Sequence, residues 1–285
     1  MNMKKIILLL SIFSLCVQLH AQTSREVLED MFAAINDIQT SSFTLEIKER
    51  FENKYIESKT DVRIREQPLS IYMKQYYPSD GLEILWTEGQ NNDKVLINPN
   101  GFPYINISLS PNNSRMRKGN HHSVLTAGFK PPADILLYSI NKAIGDYTIS
   151  EDYEKYLTLE QVTKMGIDCY KLTLEQDDFK YEKYTLSKDM YLREISKSKR
   201  VSEHMLMEIN GIKHYNQVKA GTTILVPNFY AKTTILYIDK NLMVPIMQEI
   251  YDDKGLYEEY KFTNIIINPE FANDEFTEDY KAYGF

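Results

Sequence analysis

From Phe43 onward apolar residues return at every second position: Phe43, Leu45 and Ile47, then Val62 and Ile64, then Leu69, Ile71 and Met73, with polar residues between them. A period of two buries one face of a strand and wets the other, the pattern of an antiparallel sheet with one covered face. Further strands are predicted at 82–86, 94–97 and 104–109, separated by Glu88-Gly89-Gln90-Asn91-Asn92-Asp93 and Asn98-Pro99-Asn100-Gly101, turn-rich stretches that read as a meander of hairpins. Strands return at 233–238, 246–251 and 256–262, the last two joined by the tight turn Asp252-Asp253-Lys254-Gly255. Two segments carry a helical period instead. One is capped by Thr23 or Ser24 and places Val27, Leu28, Met31, Phe32, Ile35 and Ile38 on one side; the other opens at Pro131-Pro132-Ala133-Asp134. The expected fold is α+β, a curved antiparallel sheet with helices on its concave face.

The chain opens with Lys4 and Lys5, an apolar run to Leu19, and Leu19-His20-Ala21, which reads as an export signal cut after Ala21. Lipidation at Cys16 is the alternative. The run is too short to span a bilayer, and no later stretch approaches that length, so the mature chain is expected to lack a transmembrane segment and to work in the periplasm or cell envelope. Removal of Lys4 and Lys5 leaves 31 basic against 40 acidic residues. A balance this acidic disfavours nucleic acid as a partner. Only Cys169 remains after cleavage, so no internal disulfide can form, and its place in an alternating stretch reads as a small core hydrophobe.

Between the strand at Cys169 and the strand at Thr233 the order is strand, helix, helix, strand: Tyr184-Thr185-Leu186, then Leu192 and Ile195, then Val201-Ser202 to Ile209, then 224–227. Ends that pair side by side suit a small domain inserted in a host. Together with Ile209-Asn210-Gly211 and Lys219-Ala220-Gly221, these residues resemble the LysM glycan-binding module. The resemblance implies an N-acetylglucosamine glycan such as peptidoglycan as partner, held by Asp189, Met190, Tyr191, Asn210, Gly211, Ile212 and Lys213. The chain departs from the module in having Asp189-Met190-Tyr191 where Gly-Asp-Thr is usual.

The host carries Tyr237-Ile238-Asp239-Lys240 with Pro245, Glu249 to Gly255, Tyr260-Lys261-Phe262-Thr263-Asn264 and Phe276. These resemble a secreted bacterial family of unknown function whose fold is similar to the Lol-type lipoprotein carriers (LolA/LolB-type). The expected organisation is a signal at 1–21, a half-barrel at 22–180 and 231–285, and the insert at 181–230. The resemblance implies an apolar hollow able to accept acyl chains or a lipoprotein, expected to be lined by strands 43–47, 69–73 and 246–250.

The densest polar group, Arg115-Met116-Arg117-Lys118-Gly119-Asn120-His121-His122, reads as a solvated basic loop, with Arg115, Arg117, His121 and His122 as candidates for contact with an anion or lipid headgroup. No metal and no cofactor are expected: adjacent histidines lack the spacing of a helical zinc pair, and no HExxH or cysteine pair accompanies them. The acidic pairs Glu258-Glu259, Asp252-Asp253 and Glu151-Asp152 read as solvating charge. Nucleophile-elbow, phosphate-loop and dinucleotide motifs are absent. The sequence thus points to a non-enzymatic envelope protein; the alternative is a cell-wall hydrolase targeted by the insert, with His121 or His122 in acid and base catalysis.

Overall fold

Thr23 caps the first helix, α1 (Ser24–Asn36): its hydroxyl accepts from Glu26 N while the Glu26 carboxylate accepts from Thr23 N at 2.8 Å. This capping box satisfies two orphan donors and fixes where the helix begins. Val27, Leu28, Met31 and Ile35, on one side of α1, are buried. A computed structural model describes residues 22–102, 104–144 and 155–285. The expected signal at 1–21 and the pair Glu151-Asp152 lie outside the described residues.

The strands follow as β1 (Thr40–Phe51), β2 (Lys54–Glu66), β3 (Leu69–Tyr77), β4 (Glu83–Thr87), β5 (Val95–Asn98) and β6 (Ile107–Leu109). After the short α2 (Ser114–Arg117) and the long α3 (Lys130–Ile144) come β7 (Leu157–Lys164) and β8 (Ile167–Glu175). Next are β9 (Tyr181–Thr185), α4 (Leu192–Lys199), α5 (Glu203–Ile209) and β10 (Thr223–Pro227), then β11 (Thr233–Asp239), β12 (Pro245–Asp252) and β13 (Gly255–Ile267). Among the described residues, eleven strands form one antiparallel sheet in the order β6-β5-β4-β3-β2-β1-β13-β12-β11-β8-β7. The long β1 and β13 join the two halves, and a register shift between Ser42 and Thr44 places a bulge there, one source of the sheet's curvature.

The inward residues read from the sequence are buried as expected: Phe43, Leu45, Val62, Ile64 and Ile71 pack with α1 and α3 in one core. Phe43, Phe129 and Phe262 meet with ring centroids 5.0–5.3 Å apart. Gly128, at φ +95°, brings the loop before α3 onto Ile64, whose Cδ1 would stand 2.8 Å from an added Cβ. Cys169 is fully buried, but on the other face, with Tyr237, Ile246 and Met247. Ile246 therefore faces away from the hollow it was expected to line, because a register shift between Pro245 and Met247 breaks the alternation of β12, so that Pro245, Gln248 and Ile250 line the hollow instead. The strand expected at 104–109 is shorter: Tyr104 and Ile105 are exposed, and pairing begins at Ile107. The hairpin strand β7 carries few buried side chains, which hid it from a search for alternation.

β8 ends at Glu175 and β11 begins at Thr233, and these two residues pair directly. The chain between them leaves the sheet and returns to the same place. Within it β9 and β10 pair antiparallel around α4 and α5, with Leu186, Leu192, Ile195, Val201, Leu206, Ile224 and Val226 forming a separate apolar cluster. Among the described residues, no helix is long and apolar enough to cross a membrane.

Candidate functional site: an apolar cavity closed by a buried acid–histidine cluster

Between the sheet and α1 and α3 lies a cavity of about 220 Å³. Its apolar wall comes from Met31 and Ile35 of α1, Leu45, Ile47, Val62, Met73, Ile84, Leu236, Ile250 and Phe262 of the sheet, and Phe129, Ala133 and Leu136 from the region of α3. Of the expected lining, Leu45, Ile47, Met73 and Ile250 are present, whereas Phe43 and Ile71 are packed into solid core.

One part of the wall is polar: Glu49, Glu258, His122, Tyr230 and Tyr260. Glu49 and Glu258 are paired directly across β1 and β13, and both are buried. Two carboxylates so placed repel each other unless cations or donors intervene. The loop after α2 supplies them. His121 donates its backbone N–H to Glu49 Oε2 at 2.9 Å, its Nε2 meets the Arg50 carbonyl at 2.8 Å, and its Nδ1 meets Glu258 Oε1 at 2.8 Å. A carbonyl only accepts, so Nε2 carries the ring hydrogen and a further proton lies between Nδ1 and Glu258. Tyr230 Oη donates to Glu258 at 3.0–3.1 Å and accepts from His122 Nε2 at 2.9 Å, while Tyr260 Oη donates to Glu49 Oε1 at 2.9 Å.

Burial alone would raise the Glu258 carboxyl, but the charge of His122 and the hydrogen bonds from His121 and His122 hold it well below the usual carboxylate range. Burial acts to lower His122, and its pairing with Glu258 raises it in spite of that. Burial, followed by the Glu258 charge, pushes the hydroxyls of Tyr230 and Tyr260 far up, so both remain donors.

The insert closes over this cluster. Glu203 of α5 pairs with Arg117 at 2.9 Å, both buried, Ser202 Oγ meets Tyr257 Oη at 2.9 Å, and the His204 ring stacks on His121 at 4.1 Å. Burial and then the nearby His121 charge push His204 down to about 3.

The loop at 115–122 is therefore not a solvated basic loop: Arg117 and His121 are buried and paired with Glu203 and Glu258, two buried acids that demand partners. Arg115 stays exposed, and His122 faces the cavity. Likewise Glu258 and Asp252 are not solvating charge; Asp252 receives both terminal nitrogens of the buried Arg50. Glu49, Glu258, Tyr230, Tyr260 and His204 were not among the expected site residues. A signal existed, since Glu49 continues the inward series of Phe43, Leu45 and Ile47. Glu49, His122 and Glu258 offer one ligand atom each within 4.8 Å of one another. Tetrahedral zinc needs ligand atoms about 3.4 Å apart, so a metal would have to draw the three together and displace the His122 contact with Tyr230.

On the insert, Asp189 accepts from Lys219 Nζ at 2.7 Å and Ala220 N at 2.9 Å, Met190 bridges to Val218 through its backbone, and the Asn210 amide ties Leu206 to Leu225. Their polar groups serve the insert's own structure. Tyr191, Gly211, Ile212 and Lys213 line an open groove of about 940 Å³ whose other wall includes Arg115 and Arg117. Two sets of residues expected to act separately thus share one groove.

Among solved structures the chain is similar to a DUF1329 family protein from Desulfovibrio piger (8% identity, 90% of this chain and 98% of that one, TM-score 0.34). It is similar also to the lipoprotein LppX of Mycobacterium tuberculosis (10%, 87% and 99%, 0.38) and to a LolA superfamily protein from Nitrosomonas europaea (11%, 91% and 100%, 0.32). Identities this low, with TM-scores below 0.5, say nothing of ligand or partner. No curated protein matches the chain. The family model described as protein of unknown function (DUF1571) matches residues 38–200, from the start of β1 through α4. That match spans more than half of the 285 residues, and the chain belongs to the DUF1571 family.

Proposed function

We propose that this is a non-enzymatic envelope protein that binds a single hydrophobic chain, of a lipid or a lipoprotein, in the cavity between its sheet and helices. The observation that carries this reading is the unfilled apolar space. At about 24 cal/mol per Å³, leaving this largely apolar space of about 220 Å³ without packed atoms forfeits at most on the order of 5 kcal/mol, comparable to the net stability of many domains. A chain that fills it recovers that loss. Each buried methylene contributes about 0.8 kcal/mol, so about ten give ~8 kcal/mol, above the lower estimates of association cost.

Ala133 of α3 lines the cavity and is buried. Ala133→Phe puts a ring where the chain would lie. It is expected to weaken binding of a fluorescent twelve-carbon probe at least about tenfold while leaving the melting temperature of the unliganded protein unchanged or higher. Probe binding unaffected by the substitution would place the ligand elsewhere.

The groove shared by Tyr191, Lys213 and Arg115 supports a second role, contact of the insert with peptidoglycan. An aromatic face beside exposed donors suits an acetamido sugar. The mature protein is expected to be retained on insoluble peptidoglycan and to lose retention on Tyr191→Ala. Changing Asp189 or Asn210 would instead lower the stability of the insert, since both are tied into its loops. A protein that is not retained would restrict the insert to closing the cavity end.

A further inference from the structure

At the polar end of the cavity the donors that touch the two carboxylates are already engaged. His121 gives N–H groups to Glu49 and Glu258, Tyr260 donates to Glu49, Tyr230 donates to Glu258, and His122 Nε2 is held by Tyr230. The neighbouring cations are committed too, Arg50 to Asp252 and Arg117 to Glu203. What remains at that end is acceptor capacity, because each carboxylate offers about four lone-pair sites and uses only some of them. One imidazole, His122, stands against two carboxylates. A ligand head consisting of a bare carboxylate or phosphate would add a third anion beside these two in a cavity whose lining has neutral donors and His122 but no lysine or arginine, and an unmatched buried charge is costly. A head carrying O–H or N–H groups would complete the lone pairs of Glu49 and Glu258.

Resting on the cavity reading above, we infer that the ligand is a single-chain amphiphile whose head donates hydrogen bonds, through a hydroxyl, amide or ammonium group, and that Glu49 and Glu258 discriminate against fatty-acid carboxylates. The chain lies among Leu45, Met73, Leu136 and Phe262, and the head meets the acid pair.

The test titrates the mature protein at pH 7 with three probes of equal chain length, each below its micellar concentration: 1-monolauroylglycerol, dodecylamine and laurate. The glyceride and the amine are expected to bind at least about tenfold tighter than laurate. Glu49→Gln removes one charge, keeps the shape and adds an amide donor; it is expected to narrow the gap between glyceride and laurate to under about threefold. Laurate binding as tightly as the glyceride to the unmodified protein would overturn the head-group inference and leave the cavity reading standing. An unchanged gap in a folded Glu49→Gln protein would overturn the role of the acid pair. Failure of all three probes to bind would overturn the cavity reading and this inference with it.

Discussion

Glu258→Ala is expected to cost about 3–5 kcal/mol of folding stability. The carboxylate is fully buried and takes hydrogen bonds from His121 and Tyr230. Its removal leaves the charge shared with His121 Nδ1 without a counterion and the Tyr230 hydroxyl without its acceptor. Pairing it with His121→Phe, which removes the stranded charge and keeps the stack on His204 and Tyr257, should recover a substantial part of the loss. Such non-additivity is the signature of a coupled pair. Urea unfolding of the two single variants and the double variant measures it. A loss below about 1 kcal/mol for Glu258→Ala would mean that the cluster is open to solvent and contributes no more than a surface pair.

Acidification is expected to destabilise the protein steeply below pH 6.5 through His204. This ring is packed against His121, Phe51 and Tyr257, with Arg50, Arg117 and Glu258 near enough to act on its charge, and its folded value is pushed down to about 3 from an ordinary 6.5. A depressed imidazole is kept neutral by folding. Its contribution is fully present above 6.5 and is lost, at about 1.4 kcal/mol per pH unit, as the pH falls from 6.5 towards 3. Glu258, lowered below its ordinary 4.5, adds a second loss in the same direction below that value. His122 acts with the opposite sign: raised above 6.5 by Glu258, it contributes most below 6.5 and loses that contribution as the pH rises through its folded value. Stability should therefore be greatest near pH 6.5. His204→Phe keeps the ring stack and removes the titration, so it should flatten the fall between pH 6 and 4.5. A variant as acid-sensitive as the parent would show that His204 is not the group responsible.

The half-barrel was legible because alternation in β1, β2 and β3 is a direct consequence of one covered face, and because Thr23 and the Pro131-Pro132 pair announce their helices locally. What stayed hidden depends on distance in sequence. Glu49 sits at an inward position of β1, but only the pairing of β1 with β13, some 200 residues away, reveals that Glu258 faces it. The doublet Glu258-Glu259 obscures which of the two points inward. The His121-His122 loop reads as polar surface for the same reason: its polarity is spent on acids that the sequence places elsewhere. On the insert, Asp189 and Asn210 are the right residue types for sugar contact, yet such types also tie turns, and here they do. The cavity was expected from the family resemblance and not from the alternation, since a hollow and a filled interior carry the same pattern.

If the cavity holds a hydrophobic chain, native mass spectrometry of the protein isolated from its own cells without delipidation will show a discrete adduct of one single-chain lipid per protein, absent from Ala133→Phe prepared in the same way. Only the bare polypeptide mass in both preparations, together with a melting temperature unmoved by added twelve-carbon glyceride, would contradict it.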